Sequence, residues 1–268
     1  MKKSNNYVGI DISKLTFDVA ISSSEDKYKH FKFTNNYEGF MMFLEHLKVS
    51  ESICVMEASG PYYLKLATFL SEQAIDVCVI NPLVIRRFSQ MRMSRAKTDK
   101  KDAMLIAEYG KTEKPDLWQP EAAYVLELKQ MQAYLEQLNK NKTAFTVQKE
   151  AFNQNPIKSE ILEKSINSVI ETIDKEIKQI EKRMELIIKT HHQEMFDQLK
   201  SIPGMGSKTS LLLIVISGGF SKFNNHKQLA SYVGISPRIF ESGTSVKGRS
   251  KICKMGMSKV RAMLYVCA

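Results

Sequence analysis

The stretch that most constrains this chain lies near its start: YVGIDISKLTFDVAI, residues 7–21. Val8, Ile10 and Ile12 alternate with Gly9 and Asp11. After a short break, Phe17, Val19 and Ile21 alternate with Asp18 and Ala20. Period-two alternation predicts two strands joined by a tight turn. Asp11 is the anomaly, because a carboxylate inside an apolar strand is unfavourable unless something compensates it. A metal ion would do so, and so would a salt bridge on an edge strand. The pattern around Asp11 leaves both readings open.

The next segments extend the same domain. Residues 28–35 read as a third strand, and Asn35-Asn36 opens a helix with Phe40, Phe43, Leu44 and Leu47 on one face. A short buried strand through Ile53, Cys54 and Val55 ends on Glu57. Gly60-Pro61 then turns the chain, with Pro61 suited to the first position of the following helix. A further buried strand covers residues 76–82. Strands alternating with helices in this way predict an α/β domain with parallel strands after an initial meander. Glu57 then falls at the carboxyl end of a parallel strand, where such folds place ligands.

A basic segment follows, carrying Arg86, Arg87, Arg92, Arg95, Lys97, Lys100 and Lys101. Thr98 can cap a helix starting at Asp99, with Ala103, Ile106 and Ala107 packed inward. Asp99 and Asp102 share the face of its first turn. These aspartates read either as compensation of the helix N-terminus or as a metal-binding face beside phosphate-binding cations. With Asp11 and Glu57 they make four carboxylates, enough for two Mg²⁺ ions about 3.5–4 Å apart, an arrangement suited to phosphodiester attack.

Residues 112–123, with two prolines and Trp118, read as a linker. Beyond it Leu128, Met131, Leu135, Leu138, Phe145 and Phe152 recur at heptad spacing, interrupted by Lys142. The pattern resumes with Ile166, Ile173, Ile177, Ile180, Met184 and Ile187. Pro156 and its asparagine neighbours break the run into an antiparallel hairpin. The narrow seam and charged outer faces favour dimerisation over an intramolecular bundle. Then IPGMGSK (202–208) resembles a helix-hairpin-helix turn, in which Gly204, Gly206 and Lys208 meet a phosphate; an ordinary helix–helix turn is the alternative. Residues 211–216 continue as a buried helix. In the last part, Arg238, Lys247, Arg249, Lys251, Lys254, Lys259 and Arg261 suit a nucleic-acid backbone. Ser242-Gly243 stands beside these charges in a loop, and alone it signifies no more than a loop serine.

Net charge bears on the partner. The chain is +10 over 268 residues, which favours an anionic partner, nucleic acid before an acidic membrane surface. Its four cysteines form no C-x-x-C pair, and Cys54 and Cys78 lie in apolar runs that predict buried thiols. No apolar run reaches membrane-spanning length and the amino terminus carries no apolar leader, so an intracellular, cytoplasmic and nucleoid-associated protein without membrane contact is expected.

The order GIDISK, MEASGPY, KTDKKDA, IPGMG and YVGISPRIFESG resembles the insertion-sequence 110 family of transposases, related to the Piv DNA invertase, over nearly the whole chain. The resemblance implies a RuvC-like, RNase H-like α/β catalytic domain over 1–112 and a linker with a coiled-coil hairpin over 113–194. It also implies a mostly α-helical carboxyl-terminal domain over 195–268. By the same resemblance Asp11, Glu57, Asp99 and Asp102 are the metal-binding quartet for Mg²⁺, with Mn²⁺ as a substitute. Ser242 is the nucleophile, with Ser245 as a nearby competitor. The partners implied are donor and target DNA, a structured guide (bridge) RNA, and further copies of the chain. They would form a dimer or tetramer with a composite site, in which Ser242 of one subunit serves the carboxylates of another. Recombination through a Mg²⁺-assisted phosphoserine is thereby expected. The alternatives are a plain metal-dependent nuclease and a non-catalytic nucleic-acid-binding remnant. The family pattern also continues past MLYVCA, so a shortened carboxyl terminus, with apolar surface exposed around Leu264 and Val266, is expected.

Overall fold

The computed structural model describes residues 6–24, 27–93, 98–238, 241–242, 246–248 and 250–268. The chain divides into two units, Met1–Pro120 and Glu121–Ala268.

The first unit is built on five strands: β1 (Asn6–Ile12), β2 (Thr16–Ser24), β3 (Lys27–Thr34), β4 (Ser52–Glu57) and β5 (Asp76–Ile80). Their order across the sheet is β3-β2-β1-β4-β5. The meander β1–β2–β3 is antiparallel, and β4 and β5 continue parallel to β1. Ser13 closes the first turn, its hydroxyl donating to the Thr16 carbonyl at 2.7 Å. The helices are α1 (Tyr37–Leu44), α2 (Tyr63–Glu72), α3 (Pro82–Met91) and α4 (Asp99–Glu113).

Strand alternation sorts the side chains onto two faces. Val8, Ile10, Ile12, Phe17 and Val19, with Cys54 and Met56, pack against Phe40 and Phe43 of α1 and Leu66 and Leu70 of α2. Phe17 lies 5.4–6.0 Å from the rings of Phe33, Phe40 and Phe43, which adds about 0.5–1.5 kcal/mol per aromatic pair beyond burial. On the other face Ile53, Val55, Cys78 and Ile80 meet Ile85 of α3 and Ile106 of α4. Both Cys54 and Cys78 are buried free thiols, and burial pushes the Cys78 thiol up to about 11.

Three local expectations need adjustment. Helix α1 stops at Leu44, capped at its start by Asn36, so Leu47 packs on the same core from beyond the helix. Helix α2 begins at Tyr63 rather than Pro61, because Gly60 at φ +59° first makes a turn. Trp118 is fastened to the sheet: its backbone N–H donates to Val77 at 2.6 Å and its ring joins the core.

In the second unit, α5 (Ala123–Asn153) and α6 (Glu160–Ser201) form an antiparallel hairpin broken around Pro156. The pairs Glu127–Arg183 at 3.2 Å and Lys142–Asp174 at 2.5 Å tie its arms, so the lysine that interrupts the heptads has a partner across the hairpin. Leu128, Leu135 and Leu138 cluster with Ile173, Ile177, Met184 and Ile187. Most of the seam expected to join two copies is therefore filled within one chain, Phe145 remaining exposed, and the filled residues give no support to an intermolecular interface. The physical reason is the turn after Asn153, which brings the two apolar stripes face to face.

Helix α6 is kinked at His192 (φ −144°, ψ 36°). There Tyr124 stacks on His191 and shares a 3.0 Å hydrogen bond with His192, while Gly219 leaves room for the imidazole. Helix α7 (Ser207–Ser217) is buried from Thr209 to its end, as its apolar run requires, and α8 (His226–Val233) and α9 (Ser258–Cys267) complete the described helices. Two short antiparallel ladders lie between α8 and α9: β6 (Pro237–Arg238) with β9 (Lys251–Ile252), and β7 (Glu241–Ser242) with β8 (Val246–Lys247). Leu264 is half-buried in the α7–α9 cluster, whereas Tyr265 and Val266 are exposed. Among the described residues no helix is long and apolar enough to cross a membrane.

Candidate active site

Three elements gather four carboxylates at one end of the sheet. Asp11 lies near the end of β1 and Glu57 is the last residue of β4, in the parallel register that pairs Ile10 with Met56. Asp99 and Asp102 stand in the first turn of α4, whose start is fixed by Thr98. The Thr98 side chain accepts from the Lys101 N–H at 3.3 Å. Small residues let α4 reach β1. A Cβ on Gly9 would lie 2.0 Å from the Ala103 carbonyl oxygen, and one on Gly110 would lie 2.6 Å from Val55. Gly9 and Asp11 share a face of β1, so the contact that admits α4 also sets its acidic turn beside Asp11.

The electrostatics reflect this gathering. The Asp11 carboxyl is pushed up from 3.8 to about 6, first by burial and then by the charges of Asp102, Asp99, Glu57 and Asp18. Ser59 donates its hydroxyl to Glu57 Oε1 at 3.0 Å. Every donor is a carboxylate oxygen, the ligand type of hard divalent cations. As placed, no three His, Cys, Asp or Glu side chains among the described residues close on a common ion position. The group is an open cluster of like charges.

Asp18 was not foreseen as a member of this site. It is 5 % exposed and is the one charged side chain among the described residues that is buried. His30 Nε2 lies 2.7 Å from its Oδ1 and Lys32 Nζ 3.3 Å from its Oδ2, and Lys32 also approaches Asp99 at 3.8 Å. The signal was present in the sequence. A tight turn centred between residues 14 and 15 mirrors Asp11 onto Asp18, and the observed register pairs them.

The proposed cations fall into three groups. Arg86, Lys100 and Lys101 are exposed, and Arg87 is exposed while donating to Gln90 at 3.0 Å. Arg92 is held by Glu108 at 2.9 Å and lies over the Phe88 ring at 5.3 Å. Lys208 pairs with Glu181 at 2.7 Å, Lys259 with Glu136 at 3.3 Å, and Arg261 donates to the Val233 carbonyl at 2.9 Å. Arg238, Lys251 and Lys254 are exposed. Arg95, Lys97, Ser245 and Arg249 lie outside the described residues.

At the glycine turn, Gly204 has φ +80°, and a Cβ there would meet the Cys267 carbonyl at 2.3 Å, so Gly204 is committed to packing. Gly206 caps α7 with open space around it and no side-chain cap. That leaves the first N–H groups of α7 for another acceptor. The backbone of Ser242 lies in β7, paired with Val246, rather than in a loop.

Comparison with known proteins defines the class. One transposase family model, of the DEDD type of IS110, matches residues 8–152, and another, described as the transposase IS116/IS110/IS902 family, matches residues 197–268. Two pilin gene-inverting proteins align over 277 residues, 99 % of this chain and 82 % of their own length. The Moraxella bovis protein is 33 % identical and the Moraxella lacunata protein 34 %. An uncharacterised insertion element IS110 protein of Streptomyces coelicolor is 29 % identical over 89 residues, covering 33 % of this chain and 22 % of its own. The molecule is a DNA transposase or recombinase, an enzyme that cuts and rejoins DNA. The chain belongs to the IS110 family of transposases.

Proposed function

We propose that this chain recombines DNA through a phosphoserine formed by Ser242, with Asp11, Glu57, Asp99 and Asp102 as the ligands of Mg²⁺ and with Mn²⁺ as a substitute. The observation that carries the reading is the raised carboxyl of Asp11. It is raised first by burial and then by the convergence of these carboxylates from β1, β4 and α4, whose mutual repulsion a cation would relieve. The donor chemistry fits a hard cation, and the exposed Asp99 side chain leaves room for the shell to close. The sheet order β3-β2-β1-β4-β5, with three antiparallel strands followed by two parallel ones, supports an RNase H-like unit.

The bond changes balance without a high-energy cofactor. The Ser242 oxygen attacks phosphorus and the 3′-oxygen of the broken strand leaves and takes a proton. This gives a phosphoserine and a free 3′-hydroxyl. A 3′-hydroxyl from another strand then reverses the step and releases the serine. Bound divalent cations would lower the hydroxyl's pKa and offset charge developing on the phosphate. Ser242 lies in the carboxyl-terminal segment that matches the family.

The exposed Lys100 and Lys101 in the acidic turn, with the exposed Arg86 and Arg87 of α3, suit the DNA backbone, and the open start of α7 offers a further phosphate contact. Guide RNA and a homo-oligomer belong to this reading through the family, and the gene inversion named for the Moraxella proteins supports site-specific recombination as the outcome. The test is strand transfer between paired DNA substrates, with Mg²⁺ and the RNA of the flanking non-coding DNA. Ser242→Ala and Asp11→Asn are each expected to abolish it. Cleavage that persists in Ser242→Ala would instead assign a nuclease using water.

A further inference from the structure

Asp18 sits directly opposite Asp11 in the β1–β2 register, and Lys32 directly opposite Asp18 in the β2–β3 register. The three side chains therefore form a row across the sheet face that α4 covers. Both oxygens of Asp18 are engaged, by His30 and by Lys32, so this buried carboxylate serves as an anchor. Beyond that anchor the Lys32 ammonium reaches Asp99 Oδ2 at 3.8 Å. The second contact is the loose one: the side chains of Lys32 and Asp99 are 51 % and 68 % exposed, and such pairs are weak and readily exchanged. An ammonium has three donors, and Asp18 and Asp99 occupy two directions.

We propose that Lys32 is an exchangeable counter-ion of the carboxylate site. It holds Asp99 in the cation-free chain and yields Asp99 to a divalent cation. Its ammonium, still anchored on Asp18, then contacts a phosphate of the bound DNA strand. The inference rests on the carboxylate reading given above and adds a substrate contact to it. It accounts for two observations together: the open ligand set and a fixed cation at its rim. A carboxylate and a phosphate diester present the same charge to the lysine, so one can replace the other without leaving the ammonium unpaired.

The test uses the full chain with Lys32→Gln and Lys32→Arg; the glutamine keeps a donor for Asp18 at a half-exposed position. Mn²⁺ binding without DNA, followed by the paramagnetic signal of free Mn²⁺, is expected to tighten about five- to tenfold in Lys32→Gln, because a competing charge has been removed. DNA binding by the same variant is expected to weaken, with its salt slope shallower by about one, and Lys32→Arg is expected to restore that slope. Opposite responses to metal and to DNA are a signature that a merely structural lysine would not give. Mn²⁺ affinity unchanged or weaker in Lys32→Gln overturns the proposal, and so does a wild-type salt slope. Asp11→Asn separates the two levels. If it retains both Mn²⁺ binding and strand transfer, the carboxylate reading itself fails. If it loses both while Lys32→Gln behaves as the wild type, only the role of Lys32 is lost.

Discussion

Gly9 of β1 and Ala103 of α4 meet backbone to backbone: a Cβ built on Gly9 would lie 2.0 Å from the Ala103 carbonyl oxygen and 2.8 Å from the Ala107 Cβ. The contact stands two residues from Asp11 and one from Asp102, so it fixes the spacing between the strand-borne and helix-borne carboxylates. Gly9→Ala must push α4 off the sheet. The expected loss is roughly 3 kcal/mol of stability to denaturant, since neither backbone can give way cheaply. Divalent-ion binding should fall with it, because Asp99 and Asp102 move with α4. Urea melts and Mn²⁺ titration of the same preparation would check both; a variant of wild-type stability would contradict the described contact.

The raised Asp11 carboxyl makes a signed prediction about pH. Its folded value, about 6, exceeds its ordinary 3.8, so the folded chain binds the proton more tightly than the unfolded one. The stability linked to this proton is complete below about pH 4 and is lost as pH rises towards and through 6. In chelator, Asp11→Asn should therefore melt higher than the wild type at pH 8, and the gap should close at pH 4. Thermal melts across that range measure it, and a gap independent of pH would show that the Asp11 carboxyl is not raised in the folded chain.

A third prediction concerns the second unit. Glu121 accepts from Lys129 at 2.5 Å and from Lys222 at 2.6 Å. Burial works to raise its carboxyl, but the two hydrogen-bonded lysines outweigh burial and hold it below the usual value. Glu121→Gln leaves two ammonium groups facing each other, and about 1–2 kcal/mol of stability should be lost after allowance for their partial exposure. The depressed carboxyl contributes above its unfolded value and ceases to do so as pH falls through the folded one. The wild-type advantage should consequently shrink in acid, which chemical denaturation at pH 7 and pH 3 would show.

The strands of the first unit were legible because the sheet buries both faces, and alternation there has a physical cause. Val8, Ile10 and Ile12 face one helical layer while Gly9 and Asp11 face the other. The helix starts at Asn36 and Thr98 were legible for a local reason, since each cap forms within its own turn. Asp18 escaped notice because its meaning depends on strand register, a relation between segments that period-two patterning does not state. The seam of α5 and α6 shows the opposite difficulty. Heptads mark an apolar stripe but not its partner, and only the turn near Pro156 decides that the stripes meet within one chain. The glycine turn admits both a phosphate-facing role for Gly204 and an ordinary helix–helix turn, and only the fold shows that the open side of Gly204 is filled by the backbone of Cys267, a residue distant in sequence.

The most direct measurement is covalent. The protein would be incubated with Mg²⁺, its flanking RNA and paired DNA, then denatured and digested, and any DNA-linked peptide sequenced by mass spectrometry. A phosphodiester adduct on Ser242 that disappears in Asp11→Asn is expected. Joined products formed without any adduct, or an adduct on another residue, would contradict it.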